Sequence, residues 1–522
     1  MNKNRDFLAV CKSYLPFCLS GLLLFLSFPD INLYFLAWFA LAPALVSLYD
    51  KDMRFAFKAG LLLGMVYFFG TTYWIYHALH VYGSMPLSLS VFLVVLLSLY
   101  LSLYTALFCL LYNVVLRKTL LPSLLTAPCI WTSLEFLRSY ALTGFPWSSL
   151  GYSQYEFLPI IQIADITGIY GISFLVVALN GIVADVFITS KIRADKPLYS
   201  SISFLGGAIC LIVVLILVVS YGFFRLYQER GGAAFKAAII QGNIEQDKKW
   251  DLAYQKAVLQ TYMELTSRAA EKAPDIIIWP ETALPFVFRE DKSLTEDLIT
   301  FHKGLDSYML FGSILIKENK QTKSGAAGKN RLSNSALLLD KNSNVSYIYD
   351  KIHLVPFGEY VPLRNILFFI DKLVYGGGDY YPGDRYLSAV TPFGDFATLI
   401  CYEIIFPGMV RKFYIQGGDF MVTITNDAWF GDTHGPYQHF SMAVFRAIEN
   451  RKPVLRAANS GISGFIDSNG RIMGASKLFE RTYLIKEVRK DKTMTFYTKY
   501  GDIFSYLCIV VTVTIFLSYR KL

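Results

Sequence analysis

A chain of 522 residues that is 54% hydrophobic, with a mean hydropathy of +0.40, carries more apolar surface than an ordinary soluble protein can bury, so a membrane protein is expected. Aromatic residues reach 16%, which suits a long membrane-water boundary where Trp and Tyr set a ring in lipid and a polar edge among headgroups. The net charge of +9 has to be read from its placement before it says anything about partners.

Crossing a hydrocarbon layer takes about 20 apolar residues in a helix. Such runs lie near residues 8 to 27, 31 to 49, 56 to 79, 87 to 115, 119 to 138, 160 to 189, 203 to 226 and 503 to 519, which predicts eight spans. The first is not read as a cleavable signal peptide, because no small-residue cleavage site follows it and the second run begins almost at once after "FPD". Bases gather on alternate connecting segments: Lys3, Arg5 and Lys12; Lys51, Arg54 and Lys58; Arg117 and Lys118; Lys191, Arg193 and Lys196; Arg520 and Lys521. These thirteen bases stand against Asp6, Asp50, Asp52 and Asp195, and the difference equals the net charge of the whole chain. The intervening loops are poor in base: "HVYGSMPLS" has none, and Ser139 to Pro159 has none, with Arg138 at its edge. Since Lys and Arg are retained on the cytoplasmic side, both termini are predicted to be cytoplasmic and residues 228–500 exported. The positive charge is then a topology signal and gives no support to nucleic-acid binding. The expected organisation is a membrane domain of seven helices over 1–227, an exported domain over 228–500 and a last membrane helix over 501–522.

That placement changes the reading of the cysteines. Cys11, Cys18, Cys109, Cys129, Cys210 and Cys508 fall in predicted spans as small packing residues, which leaves Cys401 as the thiol of the exported domain. A cysteine without a partner in an oxidising space is a candidate reactive group.

Within 228–500 short apolar strands alternate with amphipathic helices. Strands are expected at "FKAAIIQGNI", "DIIIWPE", "YMLFGSILI", "SNSALLLD", "VSYIYDKI", "FATLICYE", "DFMVTITND", "PVLRAANS" and "GFIDSNG". Helical periodicity covers residues 251 to 272, 294 to 306 and 436 to 451, and another helix starts at Pro407. Helices covering a mixed sheet in an α/β domain follow from this order. "KENKQTKSGAAGKN" reads as a polar loop.

Glu281, Lys351 and Cys401 each stand at the end of an apolar strand, where the sites of open α/β sheets gather. Together they supply a thiol to attack a carbonyl, a carboxylate to take its proton and an ammonium to stabilise the oxyanion. Backbone N–H groups after Cys401 offer a second oxyanion donor. Alone, each residue has a plainer reading: a buried core thiol, a helix-capping acid, a surface lysine. Trp250 and Trp429 alone are boundary aromatics. His434 and His439 of "HGPYQH" do not share a helical face, so no metal site is expected there. Glu135 and Arg138, three apart near the outer end of the fifth span, are expected to pair with each other, with a role at a lipid entrance in view.

The segments "WPETALP", "YDKIHLVPFGEYVPLR", "LICYEIIFP" and "TNDAWFG", in that order, resemble the nitrilase (carbon-nitrogen hydrolase) superfamily over roughly residues 234 to 485. With seven spans before and one after, the chain is similar over nearly its full length to the apolipoprotein N-acyltransferase family of bacterial inner membranes. The resemblance implies an αββα sandwich for the exported domain, on the periplasmic side, and a Glu-Lys-Cys triad of Glu281 as general base, Lys351 at the oxyanion and Cys401 as the acylated nucleophile. It also implies supporting or substrate-binding roles for Glu359 of "FGEYVP", for Tyr402 and Glu403 beside the nucleophile, and for Trp250 and Trp429. The reaction it implies needs no cofactor and runs in a monomer, with a phospholipid as acyl donor and a diacylglyceryl-apolipoprotein as acceptor. A membrane-tethered amidase acting on a small amide is the alternative. The aromatic-rich "RNILFFIDKLVYGGGDYY" is the candidate lid over the acyl-enzyme.

Overall fold

The computed structural model describes residues 2–119, 121–192, 201–228, 232–317, 331–360 and 380–519. The chain forms two compact units: Met1–Ile75 with Ser88–Gln228 and Lys499–Leu522, and Tyr76–Leu87 with Glu229–Thr498.

The first unit is helical. Met53–Thr72, Leu87–Lys118, Ile169–Thr189 and Leu205–Tyr227 are each long and apolar enough to cross a membrane, and Val10–Leu26, Tyr34–Ser47, Leu158–Thr167 and Ile503–Ser518 are shorter apolar stretches. Ile209, Ile212, Ile216 and Leu217 are all exposed by more than half, an apolar face that suits lipid rather than water. Helices Met53–Thr72 and Leu87–Lys118 approach closely where Gly60 leaves room: a Cβ there would lie 2.6 Å from the Thr105 carbonyl oxygen.

Several expected spans are broken or shortened, and buried polar side chains take up the freed backbone groups. Residues 34–47 form a 3-10 turn and two short helices rather than one rod, and Asn180 serves the break: its Oδ1 accepts from Leu41 and Ala42 N–H at 2.8 and 3.0 Å, and its Nδ2 donates to the Ala37 carbonyl at 2.9 Å. The run expected over 160 to 189 splits at Gly168, with Ile169–Ile192 as its long part. Ser123–Arg138 is a helix of 16 residues after Pro122, and the Asp185 carboxylate accepts from Ser123 and Leu124 N–H at 2.9 and 3.1 Å at its start. In an apolar medium such groups must be satisfied inside the protein. Glu135 behaves the same way, accepting from Leu150 N–H at 2.7 Å, and forms no ion pair within 4.0 Å with Arg138, which donates instead to Ser149 Oγ at 3.2 Å.

In the second unit, among the described residues, twelve strands form two six-stranded sheets. They are β1 (Ala234–Gln241), β2 (Ile276–Ile278), β3 (Tyr308–Lys317), β4 (Arg331–Leu339), β5 (Val345–Asp350), β6 (Ser388–Ala389), β7 (Phe396–Ile400), β8 (Phe420–Thr425), β9 (Val454–Ala458), β10 (Gly464–Ile466), β11 (Ile472–Ala475) and β12 (Thr482–Arg489). The orders are β12-β1-β2-β3-β4-β5 and β11-β10-β9-β8-β7-β6. β1, β2 and β3 run parallel, as do β7, β8 and β9, while the flanking pairs are antiparallel.

Period-2 alternation sorts the side chains. Phe235 of β1 and Tyr347 of β5 point toward the other sheet and meet Phe420 and Phe396, with ring centroids 4.5 and 6.1 Å apart. Ala238 and Ile240 of β1 and Met309 and Phe311 of β3 turn the opposite way, onto Val258, Leu259 and Tyr262 of helix Gln255–Ala270 and Leu298 of helix Lys292–Lys303. Helices Pro407–Tyr414 and His434–Asn450 lie against the second sheet. The layers are therefore helix, sheet, sheet, helix.

Candidate active site

The three strand ends singled out in the sequence come together. Glu281 lies three residues past β2, Lys351 directly follows β5, and Cys401 directly follows β7. The turn carrying Glu281 rests on β3 because position 312 is glycine: a Cβ there would lie 2.4 Å from Thr282 N and 2.7 Å from Glu281 Cα. Thr282 itself is left-handed, with φ +46°.

Glu281, Lys351 and Glu359 form one buried charged cluster. Lys351 is 1% exposed, and its ammonium lies 3.5 Å from Glu281 Oε1 and 3.0 Å from Glu359 Oε2. Burial draws the ammonium's pKa down, but the carboxylates of Glu359 and Glu281 outweigh it and the net direction is upward, so Lys351 stays charged. Asn334 joins the two acids, donating from Nδ2 to Glu281 Oε1 at 2.8 Å and to Glu359 Oε1 at 2.9 Å. Glu281 Oε2 accepts from Asn426 N–H at 2.9 Å, and Glu359 Oε2 from Val355 N–H at 2.8 Å. Each carboxylate is thus fixed at both oxygens. Asn334 and Asn426 were quoted in the sequence only as parts of strand and motif segments, and nothing there marks them as bridges.

Cys401, 9% exposed, opens a 3-10 turn over Cys401–Ile405 with a left-handed backbone at φ +53°, a strained conformation for a residue with a Cβ. Two sets of contacts hold this turn. Glu403, fully buried, accepts from Ile400, Ile352 and His353 N–H at 2.7, 2.7 and 3.1 Å and from the Tyr349 hydroxyl at 2.8 Å, which ties the Lys351 segment to the Cys401 turn. On the other side, His439 Nε2 donates to the Cys401 carbonyl at 3.2 Å, while its Nδ1 lies 2.9 Å from both Asp427 Oδ1 and Arg456 Nη2, and Arg456 Nη2 donates to Asp427 Oδ2 at 2.6 Å. Burial would raise the Asp427 carboxyl, yet Arg456 and His439 hold it well below the usual range.

Burial pushes the Cys401 thiol up, Glu281 adds to this, and Lys351 opposes it. The resting sulfur is therefore a thiol with a carboxylate and an ammonium in electrostatic reach. Burial also lifts the Glu403 carboxyl to about 7, against the pull of its Ile400 and His353 N–H donors and Lys351. His353 is pushed down to about 4 by burial and by Lys351, so it is a neutral ring packed on Phe406 at 3.9 Å.

Tyr402 packs on Phe406 and His353, with centroids 5.0 and 5.7 Å apart. Trp429 is half-buried under Tyr82, 5.3 Å away, and its carbonyl lies 3.3 Å from His77 Nδ1. Trp250 is 36% exposed. Residues 364–379 of the candidate lid lie outside the described residues, as do 318–330 of the polar loop. Among the described residues no group of three or more His, Cys, Asp or Glu side chains is arranged to hold a metal ion. His439 spends both ring nitrogens on protein partners.

The αββα sandwich that carries this thiol, these two carboxylates and this ammonium is a domain of the carbon-nitrogen hydrolase class: residues 236–496 match that family, "Carbon-nitrogen hydrolase". Residues 20–182 match "Apolipoprotein N-acyltransferase N-terminal domain". The apolipoprotein N-acyltransferase of Geobacter metallireducens is 40% identical over 512 residues, 98% of this chain and 96% of its own. That of Wigglesworthia glossinidia brevipalpis is 34% identical over 483 residues, 88% of this chain and 89% of its own. Saccharomyces cerevisiae Nit3, of branch 10 of the nitrilase superfamily, overlays 49% of this chain and 90% of its own at TM-score 0.38 and 17% identity, a likeness too slight to argue from. The chain belongs to the apolipoprotein N-acyltransferase family.

Proposed function

We propose that this protein transfers a fatty acyl chain from a phospholipid to the α-amino group of the N-terminal diacylglyceryl-cysteine of a lipoprotein, through a thioester on Cys401. What supports the reading is that Glu281 and Lys351 lie in electrostatic reach of Cys401, with Glu359 paired to Lys351, in a chain of this family.

The reaction has two halves. Glu281 takes the thiol proton as Cys401 attacks the ester carbonyl, and Lys351, with backbone N–H groups of the turn after Cys401, stabilises the oxyanion. Collapse of the tetrahedral intermediate breaks the ester bond, and Glu281 returns the proton to the departing lysophospholipid alkoxide. The lipoprotein amine then attacks the thioester, Glu281 accepts the amine proton, and the amide forms as the thiol is regenerated. Glu359 is assigned the task of holding Lys351, and Glu403 and Tyr402 that of shaping the nucleophile's turn. Trp250 and Trp429 are read as substrate contacts.

The membrane arrangement belongs to the same reading. Met53–Thr72, Leu87–Lys118, Ile169–Thr189 and Leu205–Tyr227 are read as four crossings and the shorter Val10–Leu26, Tyr34–Ser47, Ser123–Arg138 and Ile503–Ser518 as four more, with the bases on alternate segments keeping both termini cytoplasmic and residues 228–500 working on the periplasmic side of the inner membrane. One span would suffice as an anchor, so the larger helical region supports delivery of substrate through the bilayer to a monomeric enzyme. Incubation with a labelled phospholipid and a synthetic diacylglyceryl lipopeptide tests the function. Label should pass to the lipopeptide amine, whereas release of free fatty acid with no labelled lipopeptide means hydrolysis and overturns the proposal.

A further inference from the structure

In "DKKW", residues 247–250, the buried residue is the lysine before the tryptophan. Lys249 closes the short helix Gln246–Lys249 and is 0% exposed, while Trp250 is 36% exposed. Lysines are almost never fully buried unless paired, and this one has no carboxylate within 4.0 Å. Its ammonium donates to the Glu281 carbonyl at 3.1 Å and to Thr282 Oγ1 at 2.7 Å. Those acceptors belong to the left-handed turn that presents Glu281. Gln246 ties the same helix to the site from another side: its Oε1 accepts from Asn426 Nδ2 at 2.7 Å, and the Asn426 N–H donates to Glu281 Oε2. The charges that face Lys249 are those of Glu281 and Cys401; Glu245 and Lys248 of its own turn pair with each other at 2.7 Å.

We propose that Lys249 is a positioning residue for the Cys401 reaction: its ammonium locks the Glu281–Thr282 turn from behind and keeps a second positive charge beside the thiol as it ionises. The inference rests on the acyl-transfer reading above and names a group that reading does not use. Two features separate it from a space-filling lysine. A space-filling role does not need charge, and an apolar side chain of similar volume would serve it as well. The assigned role does need charge, which strengthens both bonds to the turn and sets a cation beside the thiol. Burial holds Lys249 down to about 8, so that charge is lost in mildly alkaline solution, where the Cys401 thiol still keeps its proton.

The test uses the full-length protein in detergent and the first half-reaction alone, with labelled phospholipid and no acceptor, following the acyl adduct on Cys401 by mass across pH 6 to 10 (~ the span bracketing the ordinary lysine and thiol values). Lys249→Met should lower the rate constant of adduct formation roughly 10- to 100-fold, as loss of a partner behind a reacting group does, with the half-saturating phospholipid concentration unchanged. The wild-type rate should fall as pH rises through about 8, and Lys249→Arg, which cannot lose its proton in this range, should carry the rate on to higher pH. A Lys249→Met protein as fast as wild type overturns the proposal, and so does an arginine variant with the wild-type profile. If neither variant folds, the wild-type profile decides, and absence of the alkaline fall overturns the inference. A wild-type protein that forms no adduct at any pH overturns the acyl-transfer reading itself.

Discussion

Buried polar groups do different work in the two units. In the helical unit Asn180, Asp185 and Glu135 spend their bonds on backbone N–H and C=O groups, chiefly those left open where a helix breaks or begins. In the sandwich unit Glu281, Asn334, Lys351 and Glu359 spend theirs largely on one another. The first arrangement satisfies a backbone that water cannot reach, while the second concentrates opposite charges at a point where nothing in the fold requires them. Removing a member of the first set should cost stability, and removing a member of the second should cost rate.

The largest effect expected from sharpening that contrast is at Glu281. Glu281→Gln should slow adduct formation on Cys401 by about 10²- to 10⁴-fold, the range for loss of a general base, with a smaller fall in the thermal midpoint because every partner of the carboxylate is a donor. A variant that loses stability and keeps its rate would move Glu281 into the structural set. Lys351→Met should be comparably slow, and it also leaves two buried carboxylates without their cation, so its midpoint should fall as well.

Glu403 stands between the two classes, since its partners are backbone groups but it binds together two of the site's segments. Its folded pKa of about 7 lies above the unfolded carboxyl value, so the folded state holds the proton more tightly. That contribution to stability is fully present below the unfolded value near 4.3 and is lost as pH rises through about 7. Glu403→Gln should remove this slope from a series of denaturant titrations. It should also lower stability by about 1–3 kcal/mol, because an amide presents a donor where N–H groups now converge. A slope retained in the variant would assign the dependence to another group.

Much of the sandwich was legible because its strands are buried on both faces and read as short apolar runs: "DIIIWPE", "FATLICYE" and "DFMVTITND" contain β2, β7 and β8. β12 and β11 were missed because "TYLIKEVR" and "IMGA" are half-exposed edge segments without a strong apolar signal, and β6 is only two residues long. The helical unit was legible as apolar but not as broken, because hydropathy does not register Asn180 or Asp185 serving backbone from another helix. At the site, the charged residues at strand ends could be found from the sequence. Asn334, His439, Arg456 and Lys249 could not, since their roles depend on partners 12 to 53 positions away or on burial.

The smallest of these effects should come from the helical unit and the exposed tryptophan. Asn180→Leu should lower the thermal midpoint through unsatisfied backbone groups worth about 1–3 kcal/mol, with the rate of adduct formation per folded molecule unchanged. Trp250→Ala should leave stability within about 0.5 kcal/mol of wild type, and a shift confined to the half-saturating concentration of phospholipid or lipopeptide would mark it as a substrate contact.

The most direct measurement is the intact mass of the full-length protein after incubation with a single phospholipid species, followed by peptide mapping. The account predicts one added acyl group, located on Cys401, absent from Cys401→Ala and discharged when a diacylglyceryl lipopeptide is added. An unmodified Cys401 under conditions in which the lipopeptide is nevertheless acylated, or an acyl group carried on a different residue, would contradict it.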